Sequence, residues 1–230
     1  ARVMLLAASA LFLLPAAHAQ KRPAGFASDD DAFLALRDAS RRNDAARATD
    51  ISSRLGNYPI PSYVDYYQLK PRIKDASATE VQAFLTRYSG SAIADRLRND
   101  WLLELGKRRD WVTFDEQYPQ FELNDDTQLK CYALMSKALK GVNVAADARA
   151  LLTVPKNYGE GCVALIGTLM DNSQFNEDDL WAQVRLAAET GSADFVRRLV
   201  PFTGIDDGSL MTAIDLSLIH ISEPTRPLYI

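Results

Sequence analysis

Phe84-Leu-Thr-Arg-Tyr-Ser-Gly-Ser-Ala-Ile-Ala-Asp-Arg-Leu-Arg-Asn-Asp-Trp-Leu-Leu-Glu-Leu-Gly106 decides the fold, because it holds the stop of one amphipathic segment and most of the next. The first segment ends at Tyr88-Ser89, and apolar residues then recur at helical spacing over roughly Ala92 to Lys107, with Gly106 near the end. Working outward, Tyr58-Pro59, Tyr88-Ser89 and Tyr118-Pro119 fall thirty residues apart, each closing an amphipathic segment. Four positions before these tyrosines stand Arg54, Phe84 and Phe114, so the spacing repeats more firmly than the residue type. Val154-Pro155 and Val200-Pro201 read as later, looser versions of the same helix ending.

The other segments fit the pattern. Ser28-Asp29-Asp30-Asp31 offers an N-cap and first-turn acids, with Phe33, Leu34 and Leu36 following on one face. A second run ends at Leu55-Gly56-Asn57, where glycine suits a left-handed cap. Further helices are expected over Asp126 to Lys140, Val144 to Thr153, Glu160 to Asp171, Glu177 to Glu189 and Ala193 to Val200, with Gly141 and Gly191 as stops. There is no alternating strand run of useful length. A thirty-residue repeat holds two short helices that cannot bury both faces alone and must stack on their neighbours. The expected fold is therefore all-α, a superhelical, TPR-like α-solenoid of short helical hairpins. One compact helical bundle is the competing architecture.

Composition agrees: 47% hydrophobic and 24% charged residues give a foldable chain. The net charge is -4, and -5 without the first nineteen residues, whose only charge is Arg2. That balance speaks against a nucleic-acid partner, which clustered Lys and Arg would serve. Arg41-Arg42, Lys107-Arg108-Arg109 and Arg197-Arg198 sit beside acids and read as solvated helix ends, with a local anionic contact as the alternative.

At the N-terminus, Arg2 precedes an apolar run from Val3 to Leu14, Pro15 breaks it, and Ala17-His18-Ala19 supplies small residues for a signal peptidase. The expectation is a Sec export signal over 1–19, a linker over 20–28, and a mature chain beginning near Gln20. The apolar run is too short for a stable membrane anchor. Export makes a disulfide between Cys131 and Cys162 the favoured reading, closing a loop of that length being worth about 3.5 to 4 kcal/mol. Two buried, unpaired thiols are the alternative.

The helical-repeat domain is expected over 29–215. From Ser217 the sequence Ser-Leu-Ile-His-Ile-Ser-Glu-Pro-Thr-Arg-Pro-Leu-Tyr-Ile loses the helical period and carries two prolines. It resembles translated sequencing-adapter read-through, so 216–230 is expected to be non-native and the natural protein longer, this chain being truncated.

Several residues carry a family resemblance. Asp31-Ala-Phe-Leu-Ala-Leu-Arg37, Tyr58-Pro-Ile-Pro-Ser-Tyr-Val-Asp-Tyr-Tyr67 with Leu69-Lys70, Phe84-Leu85 with Arg87-Tyr88, Ala94 to Gly106, Asp110-Trp111, Tyr118-Pro119 and Leu129-Lys-Cys-Tyr-Ala133 resemble the N-terminal domain of soluble lytic murein transglycosylases. The likeness covers about Asp30 to Asp215 and grows diffuse after Cys162. It implies a Gram-negative periplasmic protein whose N-terminal part is a U-shaped superhelix closed by a linker domain. A separate lysozyme-like domain would cleave the β-1,4 bond between N-acetylmuramic acid and N-acetylglucosamine of peptidoglycan, leaving a 1,6-anhydro product. That chemistry rests on a glutamate followed by serine. No Glu-Ser pair occurs here, and Glu223, which follows a serine in the tail, is not carried over. The catalytic domain is expected to be absent, and the chain to act as a non-catalytic scaffold whose partners are its own linker and catalytic domains and, through the whole enzyme, peptidoglycan. A stand-alone periplasmic interaction module is the alternative.

The residues themselves agree about catalysis. His18 and His220 are the only histidines, so the helical region offers no imidazole for nucleophilic catalysis or a histidine metal site, and no cofactor motif appears. Asp29-Asp30-Asp31, Asp125-Asp126 and Asp178-Asp179 each begin a helix, where acids cap free N–H groups. Tyr58, Tyr63, Tyr66, Tyr67, Trp101 and Trp111 read first as packing residues. Tyr63, Tyr67, Trp101 and Trp111 are the candidates for contact with a glycan or a partner protein.

Overall fold

The computed structural model describes residues 25–204, with Gly208 and Thr212 beyond them. The expected export signal, linker residues 20–24 and the tail over 216–230 lie outside the described residues.

Among the described residues to Gly204, eleven α-helices follow one another: α1 (Asp29–Arg41), α2 (Ala45–Ser52), α3 (Pro61–Leu69), α4 (Ala78–Arg87), α5 (Ala92–Arg108), α6 (Trp111–Gln117), α7 (Thr127–Leu139), α8 (Ala145–Leu151), α9 (Glu160–Asp171), α10 (Glu177–Glu189) and α11 (Ala193–Thr203). Among the described residues there is no strand. The odd-numbered helices α1, α3, α5, α7, α9 and α11 pack each against the next, while α2, α4, α6, α8 and α10 lie against their hairpin neighbours. The extensive contacts stay between elements close in the chain, which is the order of a solenoid. A compact bundle would bring the first and last helices together. A small core of Ala32, Leu36, Ala39, Ala48, Ile51, Leu55 and Val64 serves the first hairpin, and a second runs continuously from Tyr66 to Leu199. Tyr67 touches both.

The starts of the helices follow the capping residues. Ser28 accepts from the Asp31 N–H, Asp126 from Leu129, and Asn176 forms a reciprocal capping box with Asp179. The thirty-residue tyrosine spacing has a physical basis: Tyr88 packs edge-on against Phe84 at 4.8 Å between centroids, and Tyr118 stacks on Phe114 at 5.4 Å. In the first repeat Arg54 supplies no ring, and Tyr58 stacks instead on Phe33 at 4.6 Å.

Three local expectations are corrected. Leu34 is 46% exposed, because the buried stripe of α1 runs through Ala32, Leu36 and Ala39. Gly56 does not cap α2, which ends at Ser52 with Ser53 in right-handed conformation. Gly106 lies near the end of α5 as expected, and the left-handed cap is Arg109, with φ 62°. Pro201 does not end α11, which continues to Thr203 before Gly204 turns at φ 67°. Gly141 and Gly191 do follow their helices with φ of 82° and 68°.

Cys131 and Cys162 are bonded, tying α7 to α9 with their Cα atoms 4.9 Å apart. At the next rung, Arg149 donates from Nε and its guanidinium to both Asp179 oxygens at 2.7 and 2.8 Å. This pairing holds the Asp179 carboxyl below the usual carboxylate range. With the folded pKa below the unfolded value of about 3.9, the stabilisation is present above that value and is lost as pH falls through the folded one. Arg149 is half exposed, so the coupling between Arg149→Met and Asp179→Asn in a double-mutant cycle should be about 0.5 to 1 kcal/mol by urea denaturation at pH 7. It should shrink as the pH falls through the folded pKa of Asp179, and a coupling that does not decline on acidification would contradict the assignment.

Candidate functional site

The three helices α1, α3 and α5 stand in neighbouring rungs, and their shared face encloses an open cleft of about 510 Å³. Arg37, Ser40 and Arg41 come from α1, Tyr63, Tyr66 and Tyr67 from α3, Lys70 from the 3-10 turn Lys70–Arg72, and Ile93 and Arg96 from α5. Leu123 and Asp125 close one end. Their loop is held there by Asp95, whose carboxylate accepts from the backbone N–H groups of Glu122 and Leu123 at 3.0 and 2.8 Å.

Four cations thus line one cleft of a chain whose net charge is negative. Lys70 faces Asp100 at 3.7 Å and lies 5.6 Å from the centre of the Tyr66 ring. The Tyr66 hydroxyl donates to the same Asp100 oxygen at 2.8 Å. Burial pushes the Asp100 carboxyl above its usual range against the pull of Lys70 and Tyr66, and burial beside Asp100 raises the Tyr66 phenol. Arg37 has only a long contact to Asp38 at 3.7 Å. Arg41 and Arg96 form no ion pair among the described residues.

Of the sequence candidates, Tyr63 and Tyr67 are brought together here, ring centres 6.2 Å apart, with Tyr63 39% exposed and Tyr67 half-buried. Trp101 is 4% exposed within the core, so no ligand can stack on it. Trp111 is half-buried away from the cleft, against Phe114 and Tyr132, with the Arg109 guanidinium 6.0 Å from its ring centre. Arg37, Arg41, Lys70 and Arg96 are not visible as a group in the sequence, because they lie on α1, on the 3-10 turn after α3 and on α5. The thirty-residue period was the available clue, since it sets α1, α3 and α5 side by side. Asp126 and Asp179 act at helix starts and Asp29, Asp30 and Asp31 fill the first turn of α1, whereas Asp125 lines the cleft; among the described residues no group of three His, Cys, Asp or Glu side chains could hold a metal ion.

No family model and no curated protein matches the chain. Solved structures do. The lytic transglycosylase Slt from Pseudomonas aeruginosa, in an inactive mutant form, matches 80% of this chain with 26% sequence identity and a TM-score of 0.53. The 70-kDa soluble lytic transglycosylase, solved in complex with bulgecin A, matches 84% with 20% identity and a TM-score of 0.55, a likeness of fold. In fold, this is a lytic-transglycosylase-type domain. The chain spans about 30% of the length of each of these two proteins. The cleft of this lytic-transglycosylase-type domain is therefore one surface of a helical repeat array, assembled from rungs α1, α3 and α5.

Proposed function

We propose that this chain is the non-catalytic helical scaffold of an exported, periplasmic lytic transglycosylase. The complete enzyme would cleave the β-1,4 bond between N-acetylmuramic acid and N-acetylglucosamine in peptidoglycan and release 1,6-anhydro products. The observation that carries the reading is the match to the Pseudomonas aeruginosa enzyme at 26% identity over 80% of this chain. Local chemistry supports it: Asp126 caps α7, Asp179 is committed to the α10 capping box and its pair with Arg149, and Asp29, Asp30 and Asp31 sit in the first turn of α1. The Cys131–Cys162 bond suits an oxidising compartment, in keeping with the leader-like segment over 1–19. The domain's own linker and catalytic domains would be its permanent partners, and peptidoglycan the substrate of the whole.

The test is to sequence the natural locus through and beyond the codon for Asp215, then express both that product and the present chain. Isolated sacculi are incubated with each, and soluble 1,6-anhydro muropeptides are measured by mass spectrometry. The longer product should release them and the chain alone should not. Release by the chain alone would overturn the scaffold reading. A locus encoding no lysozyme-like domain would overturn the parent enzyme and leave a stand-alone periplasmic interaction module.

A further inference from the structure

We infer that the cleft between α1, α3 and α5 binds a carboxylate-bearing glycan, with a sugar ring against Tyr63 and Tyr67 and acidic groups meeting Arg41 and Arg96. Charge is the first argument. Arg37, Arg41, Lys70 and Arg96 converge on one concavity, with Asp125 the only carboxylate in its lining. A second groove, between α3 and α4, shows what an idle surface looks like. There Arg72 pairs with Glu80 and Arg87 with Asp65, so its charges are spent internally. In the cleft, Arg41 makes no ion pair among the described residues, and Arg96 makes none at contact distance, feeling Asp100 only through the longer-range field that it shares with Lys70.

The second argument is independent of charge. Ser40 is 1% exposed, yet its hydroxyl has no hydrogen-bond partner, and the buried Nε of Arg37 has none either. Both residues line the cleft. Buried polar atoms are normally paired, so two orphaned ones on adjacent turns of α1 mark a place that a polar ligand or water completes. Ring chemistry is the third argument. The Tyr63 and Tyr67 hydroxyls make no hydrogen bond among the described residues; exposed Tyr63 offers a ring face and a polar tip, while Tyr67, packed against Phe33, Tyr63 and Tyr66, offers its tip. Alternating apolar ring faces with hydroxyls and carboxylates is the chemistry of an acidic glycan. Naming it a peptidoglycan strand, whose peptide stems carry the carboxylates, rests on the function proposed above.

The probe is a purified disaccharide-tetrapeptide muropeptide, titrated calorimetrically into the full chain. Binding should weaken as salt rises, and Arg41→Ala with Arg96→Ala should weaken it about tenfold. Lysines at both positions should restore most of it, and Tyr63→Ala should cost severalfold. These side chains are exposed, and far-UV circular dichroism with a Tm measurement establishes that each variant folds. Uncharged chitotetraose and the free tetrapeptide should each bind more weakly than the muropeptide. Equal binding by chitotetraose would overturn the role of charge, and equal binding by the tetrapeptide would overturn the role of the sugar. Absence of muropeptide binding, or binding indifferent to the arginines, would overturn the site. If the longer gene product still releases anhydro muropeptides, that failure concerns the cleft alone.

Discussion

Replacing Cys131 and Cys162 together by alanine should lower the unfolding free energy by about 3.5 to 4 kcal/mol, the largest effect expected of any small substitution in this chain. The bond closes a loop with a sequence separation of 31, which contains α8 and the 3-10 turn Pro155–Asn157. Without it the unfolded chain recovers the conformational freedom of that loop, while the folded chain loses only the link between α7 and α9. Both cysteines are fully buried, and α7 against α9 is the most extensive helix pair in the fold, so the hairpin should still form after replacement. Urea denaturation of the oxidised, reduced and doubly substituted proteins gives the comparison. The last two should agree closely and fall well below the first. A difference under about 1 kcal/mol would mean that packing of α7 on α9 alone sets the stability of this region. Because both cysteines are shielded, dithiothreitol should act on the native protein only as fast as the hairpin opens.

What the sequence reveals here depends on how local the determining physics is. Glu160–Asp171 and Glu177–Glu189 are legible to the residue, because their boundaries are written in nearby residues: glycine before Glu160, Asn176 in a capping box, and Gly191 turning just beyond Thr190. Arg109 shows the limit. An arginine with positive φ carries no mark of it, and that conformation is fixed by what its side chain reaches: the Gly106 carbonyl at 2.8 Å, the Glu160 carboxylate, and the rings of Trp111 and Tyr132. Gly106 shows the same limit, since no nearby residue records that a neighbouring ring requires a glycine there. The cleft follows the same division. Tyr63 and Tyr67 stand four apart on one helix and could be named together, whereas Arg41 and Arg96 meet only once the register of α1 against α5 is known.

That glycine gives the second large effect. Gly106→Ala should destabilise the domain by about 2 kcal/mol, although alanine is favoured over glycine inside a helix by about 1 kcal/mol. A Cβ at position 106 would lie 2.6 Å from Cγ and 2.7 Å from Cε2 of Tyr132, so the ring would have to move. It has little room. A Cβ at Gly161 would stand only 3.0 Å from Cε1 of the same tyrosine, so the ring is wedged between α5 and α9 where each helix carries glycine. Its hydroxyl donates to Glu160, which also pairs with Arg109, and Tyr132 itself is almost completely buried. Overpacking therefore transmits across three helices at once, and Tm should fall by about 5 °C. Combining Gly106→Ala with Tyr132→Leu supplies the internal check. If the clash is the cause, alanine at 106 costs much less once the ring is gone, and the two substitutions couple strongly. An increase in Tm for Gly106→Ala alone would mean that helix propensity prevails and that the α5–α7–α9 junction yields more readily than its packing implies.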